Sequence, residues 1–194
     1  RALDLARIAA SAELLGVMTK ALETSVAYIS MREQFGRPIG SFQALQHRAA
    51  DMLIQIELTR SAVLQSAAVA DAHGADGHRL AIAASQAKAR ASAAALEVTK
   101  GCIQLHGGIG YTDECNIGLY LKKAMFGAVW LGDATTHRRR YNERAGDGQE
   151  ASAPEIIAGG EQPIRRDELR RWLAENFPSD WRFPPTRLSL KQTR

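Results

Sequence analysis

The chain is short of what a sheet protein, a secreted protein or a membrane protein relies on. Its 194 residues include two cysteines, Cys102 and Cys115, in no CxxC pair. Two thiols cannot build a disulfide framework, so a reducing, cytoplasmic compartment is the expectation. Aromatic residues make up 6% of the chain and prolines number six. The apolar content comes mostly from alanine and leucine, which lose little entropy in a helix, and this favours helices over strands. No apolar run approaches the roughly 18 residues of a membrane span. No signal peptide is visible. There is also no starting methionine: "RALDLARIAA" is already an amphipathic helix, and the chain reads as a piece of something longer.

Several chemical signatures are missing as well. There is no GxSxG for a serine nucleophile. His73, His78 and His106 fit neither HxxxH nor HExxH, and no carboxylate sits at a completing offset. They are expected as solvated turn residues, with no metal site. The net charge of +4 and pI near 9.3 are a small excess spread along the chain. Aromatics interleave poorly with the "RRR" run and Lys122–Lys123, which predicts a solvated basic face rather than a nucleic-acid surface. A hydrophobic content of 45% excludes wholesale disorder.

What is present is helical period. Leu3, Ile8, Leu14, Leu15, Met18, Leu22 and Val26 recur at three- and four-residue spacing, predicting one helix over 2–34. "FGRPIG" (35–40) ends it, and Ser41 is the expected N-cap of a second helix over 42–72. After the turn "HGADG" (73–77), an alanine-rich third helix is predicted over 78–106. "GGIGYTDE" breaks the pattern before a fourth helix (116–130) and a short last one starting at Asp133. Helices of roughly 30 residues are about 45 Å long, and short turns make them antiparallel neighbours. The fold class is therefore all-α, an up-and-down four-helix bundle, over 1–145. A Gly/Pro/Ala-rich linker (146–164) and an appended helix and tail (165–194) are expected to follow.

Two stretches have the chemistry of ligand contacts. In "REQFGRPIGSFQ", Arg32 offers a planar fork, Phe35 sits in the turn, and Gln43 lies at a helix N-terminus, where free amides favour an anion. In "QLHGGIGY", the pair Gly107–Gly108 lets a ligand approach bare backbone, with Gln104 one turn earlier. It is not a GxGxxG after a strand. Each stretch taken alone fits ordinary helix capping better than a ligand site.

Taken in order, "YISMREQFGRPIGSFQALQHRAADM", "KGCIQLHGGIGYTDE" and "WLGDATTHRRR" resemble the C-terminal helical domain of acyl-CoA dehydrogenases. The resemblance implies an FAD enzyme that desaturates acyl-CoA thioesters and assembles as dimers or dimers of dimers with FAD at the interface. Electron-transfer flavoprotein is the implied redox partner. Arg32 and Phe35 match residues that reach a neighbouring subunit's FAD, and Gln43 matches a further cofactor contact. Gln104, Gly107 and Gly108 match the stretch that holds the adenosine diphosphate part. Asp4 and Arg7 match a pair near the acyl thioester, and Gly132 matches the glycine after the catalytic base.

At the base itself the pattern breaks. The family's glutamate precedes that glycine, where this chain has Leu131, or sits on the first helix, where it has Ala6. Neither side chain takes a proton. Asp133, two residues further on, points to a different helix face and reads better as an N-cap than as a base. Either this is a flavin-holding half that works beside a complete partner, or its base comes from elsewhere. The tail "RRDELRRWLAENFPSDWR" resembles the first helix of the family's N-terminal domain, which favours a tandem parent, one half assisting the other. A divergent relative that holds flavin structurally or binds DNA is the alternative.

Overall fold

A computed structural model describes residues 1–72 and 77–146. The expected linker and tail, and His73, lie outside these residues, save Gly146 at the end of the last helix. Five helices form an all-α bundle: α1 (Ala2–Met31), α2 (Gln43–Asp71), α3 (Gly77–His106), α4 (Ile117–Val129) and α5 (Ala134–Gly146).

The first helix stops three residues earlier than its apolar period suggests. Arg32 turns extended while its N–H still bonds the Tyr28 carbonyl. Glu33–Gln34 (β1) then pairs antiparallel with Arg37–Pro38 (β2). The two residues between them, Phe35 and Gly36, both have positive φ, +56° and +78°. Positive φ at both central positions is the mark of the tight turn that matches strand twist. Ser41 does not cap α2; its hydroxyl donates to the Pro38 carbonyl at 2.8 Å and closes a 3-10 turn over Ile39–Ser41. Phe42 takes the N-cap position with no side-chain cap bond.

Contacts at the helix ends fix the directions. Ile8, early in α1, packs with Leu80 and Ala84, early in α3, and with Ala70, late in α2. Tyr28, late in α1, stacks on His106, the last residue of α3, at 4.4 Å between ring centroids. Hence α1 and α3 run parallel, and α2 runs against both. His106 is accordingly buried, with Nδ1 2.8 Å from the Cys102 carbonyl, rather than a solvated turn histidine.

The third helix is the axis. Ala84, Ala87, Ala91, Ala94 and Ala95 are buried along it, and their small side chains let α1, α2, α4 and α5 all pack on it. Glycines serve the same close approach elsewhere: a Cβ at Gly127 would sit 2.7 Å from a Leu14 methyl. The core of Leu14, Met18, Ile56, Val98, Cys102 and Ile117 is fully buried, each large side chain contributing about 1.5–3 kcal/mol. Cys102 and Met52 pack there through their sulfurs at 4.0 Å, and burial pushes the Cys102 thiol up.

One apolar face stays open. Between α1 and α2 lies a groove of about 610 Å³ lined by Leu22, Val26, Leu53 and Ile56. Leu53 and Leu64, apolar positions in the period of the predicted second helix, are more than half exposed.

Candidate functional site

The two sets of residues singled out by the sequence lie at opposite ends of the bundle. At one end, Arg32, Phe35 and Gln43 belong to the hairpin and the start of α2, while Gln104, Gly107 and Gly108 close α3. The Tyr28–His106 stack brings these two segments to the same end. All six are exposed. Phe35 is 91% exposed, with the Phe42 ring edge-on to it at 6.1 Å between centroids. Arg32 forms no ion pair among the described residues. Gly107 has φ +64°, and nothing lies within 4 Å of a Cβ built on either glycine of the pair. An unpaired guanidinium, an unsupported aromatic ring and bare backbone fit the edge of a large phosphate-bearing ligand such as FAD. No described residue there forms an enclosure for a flavin ring.

The other end is built around Trp130–Asp133, between α4 and α5. Leu131 and Gly132 have φ +61° and +106°. Their carbonyls turn inward onto cationic and imidazole donors. His137 Nε2 lies 3.0 Å from the Leu131 carbonyl, and Arg7 Nε donates to it at 3.4 Å. Lys88, fully buried on α3, donates to the carbonyls of Gly132 (2.9 Å), Gly127 (2.9 Å) and Ala128 (3.2 Å) and to Ser92 Oγ (2.8 Å). Gly127 and Ala128 lie in the last turn of α4, whose carbonyls lack helical partners and favour a cation.

Asp4 anchors the same corner. It accepts from Arg7 Nη1 at 2.7 Å and Arg140 Nη2 at 2.8 Å, and Arg140 Nη1 also donates to Ser85 Oγ at 2.8 Å. Burial raises the Asp4 carboxyl, but the bonds to Arg7 and Arg140 outweigh it and hold the group below its ordinary range. Burial pushes Lys88 down to about 8, with Arg7 adding to the shift and Asp133 opposing it. Burial likewise lowers His137, so it is neutral, and its bond to a carbonyl places the proton on Nε2. Its Nδ1 has no partner.

The structure brings Asp4, Arg7, Leu131 and Gly132 together, with Asp133 beside them. Asp133 Oδ1 accepts the Thr136 N–H at 2.8 Å, the bond of an N-cap, and its bonds to Thr136 lower its carboxyl. The expected basic helix surface needs one correction: Arg140 turns inward to Asp4, and only Arg138 and Arg139 face solvent. Lys88, His137 and Arg140 escaped the sequence reading because their partners are distant; Lys88 meets carbonyls 39 to 44 residues away. One signal was available. A lysine flanked at i−4, i−1, i+3 and i+7 by alanines of a buried stripe has no solvent face to occupy.

Comparison with known proteins gives first the class: a helical module of flavoprotein oxidoreductases. The chain belongs to the acyl-CoA dehydrogenase family; the family's C-terminal domain description matches residues 1–146. It is 44% identical over 138 residues to acyl-CoA dehydrogenase FadE34 of Mycobacterium tuberculosis, covering 71% of this chain and 19% of that protein. It is 39% identical over 137 residues to acyl-CoA dehydrogenase IpdE2 of Mycolicibacterium smegmatis, covering 71% of this chain and 41% of that one. Among solved structures, a Tcur3481–Tcur3483 steroid ACAD variant superposes with TM-score 0.71 at 37% identity, covering 77% of this chain and 40% of that chain. The chain thus spans well under half of these relatives. Among the described residues no helix is long and apolar enough to cross a membrane, and no cluster of metal-ligating side chains occurs.

Proposed function

We propose that the chain is the helical C-terminal part of a flavin-dependent acyl-CoA dehydrogenase and that this part lacks its own catalytic base. The carrying observation is the charge inventory around the α4–α5 turn. Asp4 is locked between two guanidiniums, Asp133 is spent on a helix cap, and position 131 is leucine. No carboxylate there is free to take an α-proton. Around that turn Asp4 and Arg7 order the corner, and Gly132 lets the backbone pass close to His137; all three stand at the acyl-CoA thioester.

Bound FAD supplies the acceptor for the hydride that leaves the β-carbon. Arg32, Phe35 and Gln43, with Gln104, Gly107 and Gly108, are the residues of this chain that contact it. Arg7 and Tyr28 are about 30 Å apart along α1 at 1.5 Å per residue. One copy therefore does not serve a single flavin with both of its ends, and the hairpin end reaches a flavin seated on another subunit or half. The open α1–α2 groove supports an oligomer with such a partner. Electron-transfer flavoprotein takes the electrons onward.

The parent is a tandem protein, with residues 146–164 linking the bundle to a second N-terminal-like segment at 165–194. Nearly equal aligned lengths make up 19% of FadE34 and 41% of IpdE2, so FadE34 is about twice as long, the size of a doubled subunit.

The test is anaerobic addition of acyl-CoA to the full-length flavoprotein. Bleaching of the flavin is expected. In the same protein Asp133→Asn is expected to leave turnover nearly intact, whereas losing a general base costs ~10²–10⁴-fold. No bleaching by any acyl-CoA, with duplex binding that weakens steeply with salt, would support the DNA-binding alternative.

A further inference from the structure

Among the described residues Lys88 has no carboxylate partner within hydrogen-bond reach, and it is fully buried. An ammonium in that position is costly. A methionine would bury an equally long stem without the charge. What the charge adds is a grip on one segment: three of its four acceptors are carbonyls of Gly127, Ala128 and Gly132. His137, also fully buried, holds the carbonyl of the residue between, Leu131, at 3.0 Å. Pulling the carbonyls of two consecutive residues to the same interior side goes with left-handed backbone at both, and both have it. Glycine adopts that form freely; leucine does not. The clearance is tight too, since a Cβ on Gly132 would lie 2.8 Å from His137 Nε2.

We propose that Lys88 and His137 are positioning residues that hold the α4–α5 turn in its left-handed form and so fix where side chain 131 stands. The chain thereby keeps a complete mount for a proton acceptor, with leucine seated in it. The holding role stands on the geometry alone; the purpose of the mount rests on the reading of the turn as a thioester site. It follows that one substitution, Leu131→Glu, confers proton abstraction. In that step the new carboxylate takes the α-proton of the thioester, the C–H electron pair stays on the substrate as an enolate, and in heavy water a deuteron returns to the same carbon. No oxidant is consumed.

Two measurements on the full-length protein test this. In hydrogen-exchange mass spectrometry, K88M is expected to speed amide exchange across 129–137 by about tenfold or more while peptides of α1 and α2 stay unchanged, as for local opening. Unchanged exchange at the turn overturns the holding role; if K88M does not fold, H137Q carries the same test. In heavy water with octanoyl-CoA, L131E is expected to raise α-deuteration about 10²-fold over the parent protein. The double variant L131E/K88M is expected to lose that gain at unchanged thioester affinity. A gain that survives K88M overturns the positioning role. No gain in L131E with thioester bound overturns the mount. Failure to bind any thioester instead overturns the functional reading, and the exchange measurement still decides on Lys88 and His137.

Discussion

Gly132 is the residue with least freedom to change. Its φ of +106° and the 2.8 Å approach to His137 exclude a side chain by backbone and by space at once. Gly132→Ala is expected to cost about 1–3 kcal/mol, read as a lowered urea midpoint. Asp4 gives a second case. Its lowered carboxyl contributes stability that is fully present above the ordinary value of 3.8 and is lost as pH falls through the folded value. Asp4→Asn leaves Arg7 and Arg140 facing each other half-buried and is expected to cost about 3–5 kcal/mol at neutral pH, with a flatter acid limb in urea titrations. At this scale the sequence was legible where chemistry is local: Asp133 as a cap follows from Thr136, three residues on. The partners of Lys88 and Arg140 were not legible, because the Gly132 carbonyl and the Asp4 carboxylate reach them only through the packing of α4, α5 and α1 on α3.

Among the elements, the hairpin after α1 keeps a residue that its geometry does not favour. Phe35 has positive φ and almost no packing, whereas asparagine is at ease in such a turn. Phe35→Asn is expected to raise Tm by about 2–4 °C, as a gain of about 1 kcal/mol does in a chain of this size, while lowering FAD content in the assembled parent. Arg32→Ala is expected to lower FAD content without the gain in Tm. The hairpin was missed in the sequence because the predicted helix ran on through Glu33 and Gln34; the turn preference of Gly36 and the fit of Gly40 against Ile29 override it. In α3, Lys88 adds a pH signature. Its unfolded value is 10.5 and its folded value about 8, so the unfolded state binds more protons between them. Stability is expected to rise with pH across that window, with the cost of the buried ammonium fully present below it. The titratable groups facing Lys88 are Arg7 from α1, and Asp133 and the neutral His137 at the start of α5. Urea unfolding at pH 7.5 and 10 is expected to show the rise in the parent sequence and not in K88M.

Across the whole molecule, α1 and α2 leave Val26, Leu53, Ile54, Leu58 and Leu64 exposed, and clustered exposed apolar residues mark interaction surfaces. Helical period marked Leu53 and Leu64 as apolar positions of α2 but not which were inward, since an interface stripe and a core stripe share one period. Leu53→Glu, with the charge in the groove, is expected to shift the assembled parent to a smaller species in sedimentation velocity. The overall architecture was legible because three long apolar periods and three short breaks leave few ways to pack.

One feature of α1 reaches beyond assembly. One helix, α1, leads into the Arg32–Phe35 hairpin at one end and carries the Asp4–Arg7 corner at the other. On the function proposed above, the two ends would work for different centres, of which only one turns over. Scored by the parent's activity, saturation mutagenesis would find an uneven tolerance between the two ends of the bundle. Changes at Arg32 and at Gly107–Gly108 would disable a reaction carried out on another half. Changes at Ala6 and Leu131 would pass nearly unnoticed, so the corner is free to accept new side chains, and new ligands, while its partner goes on working.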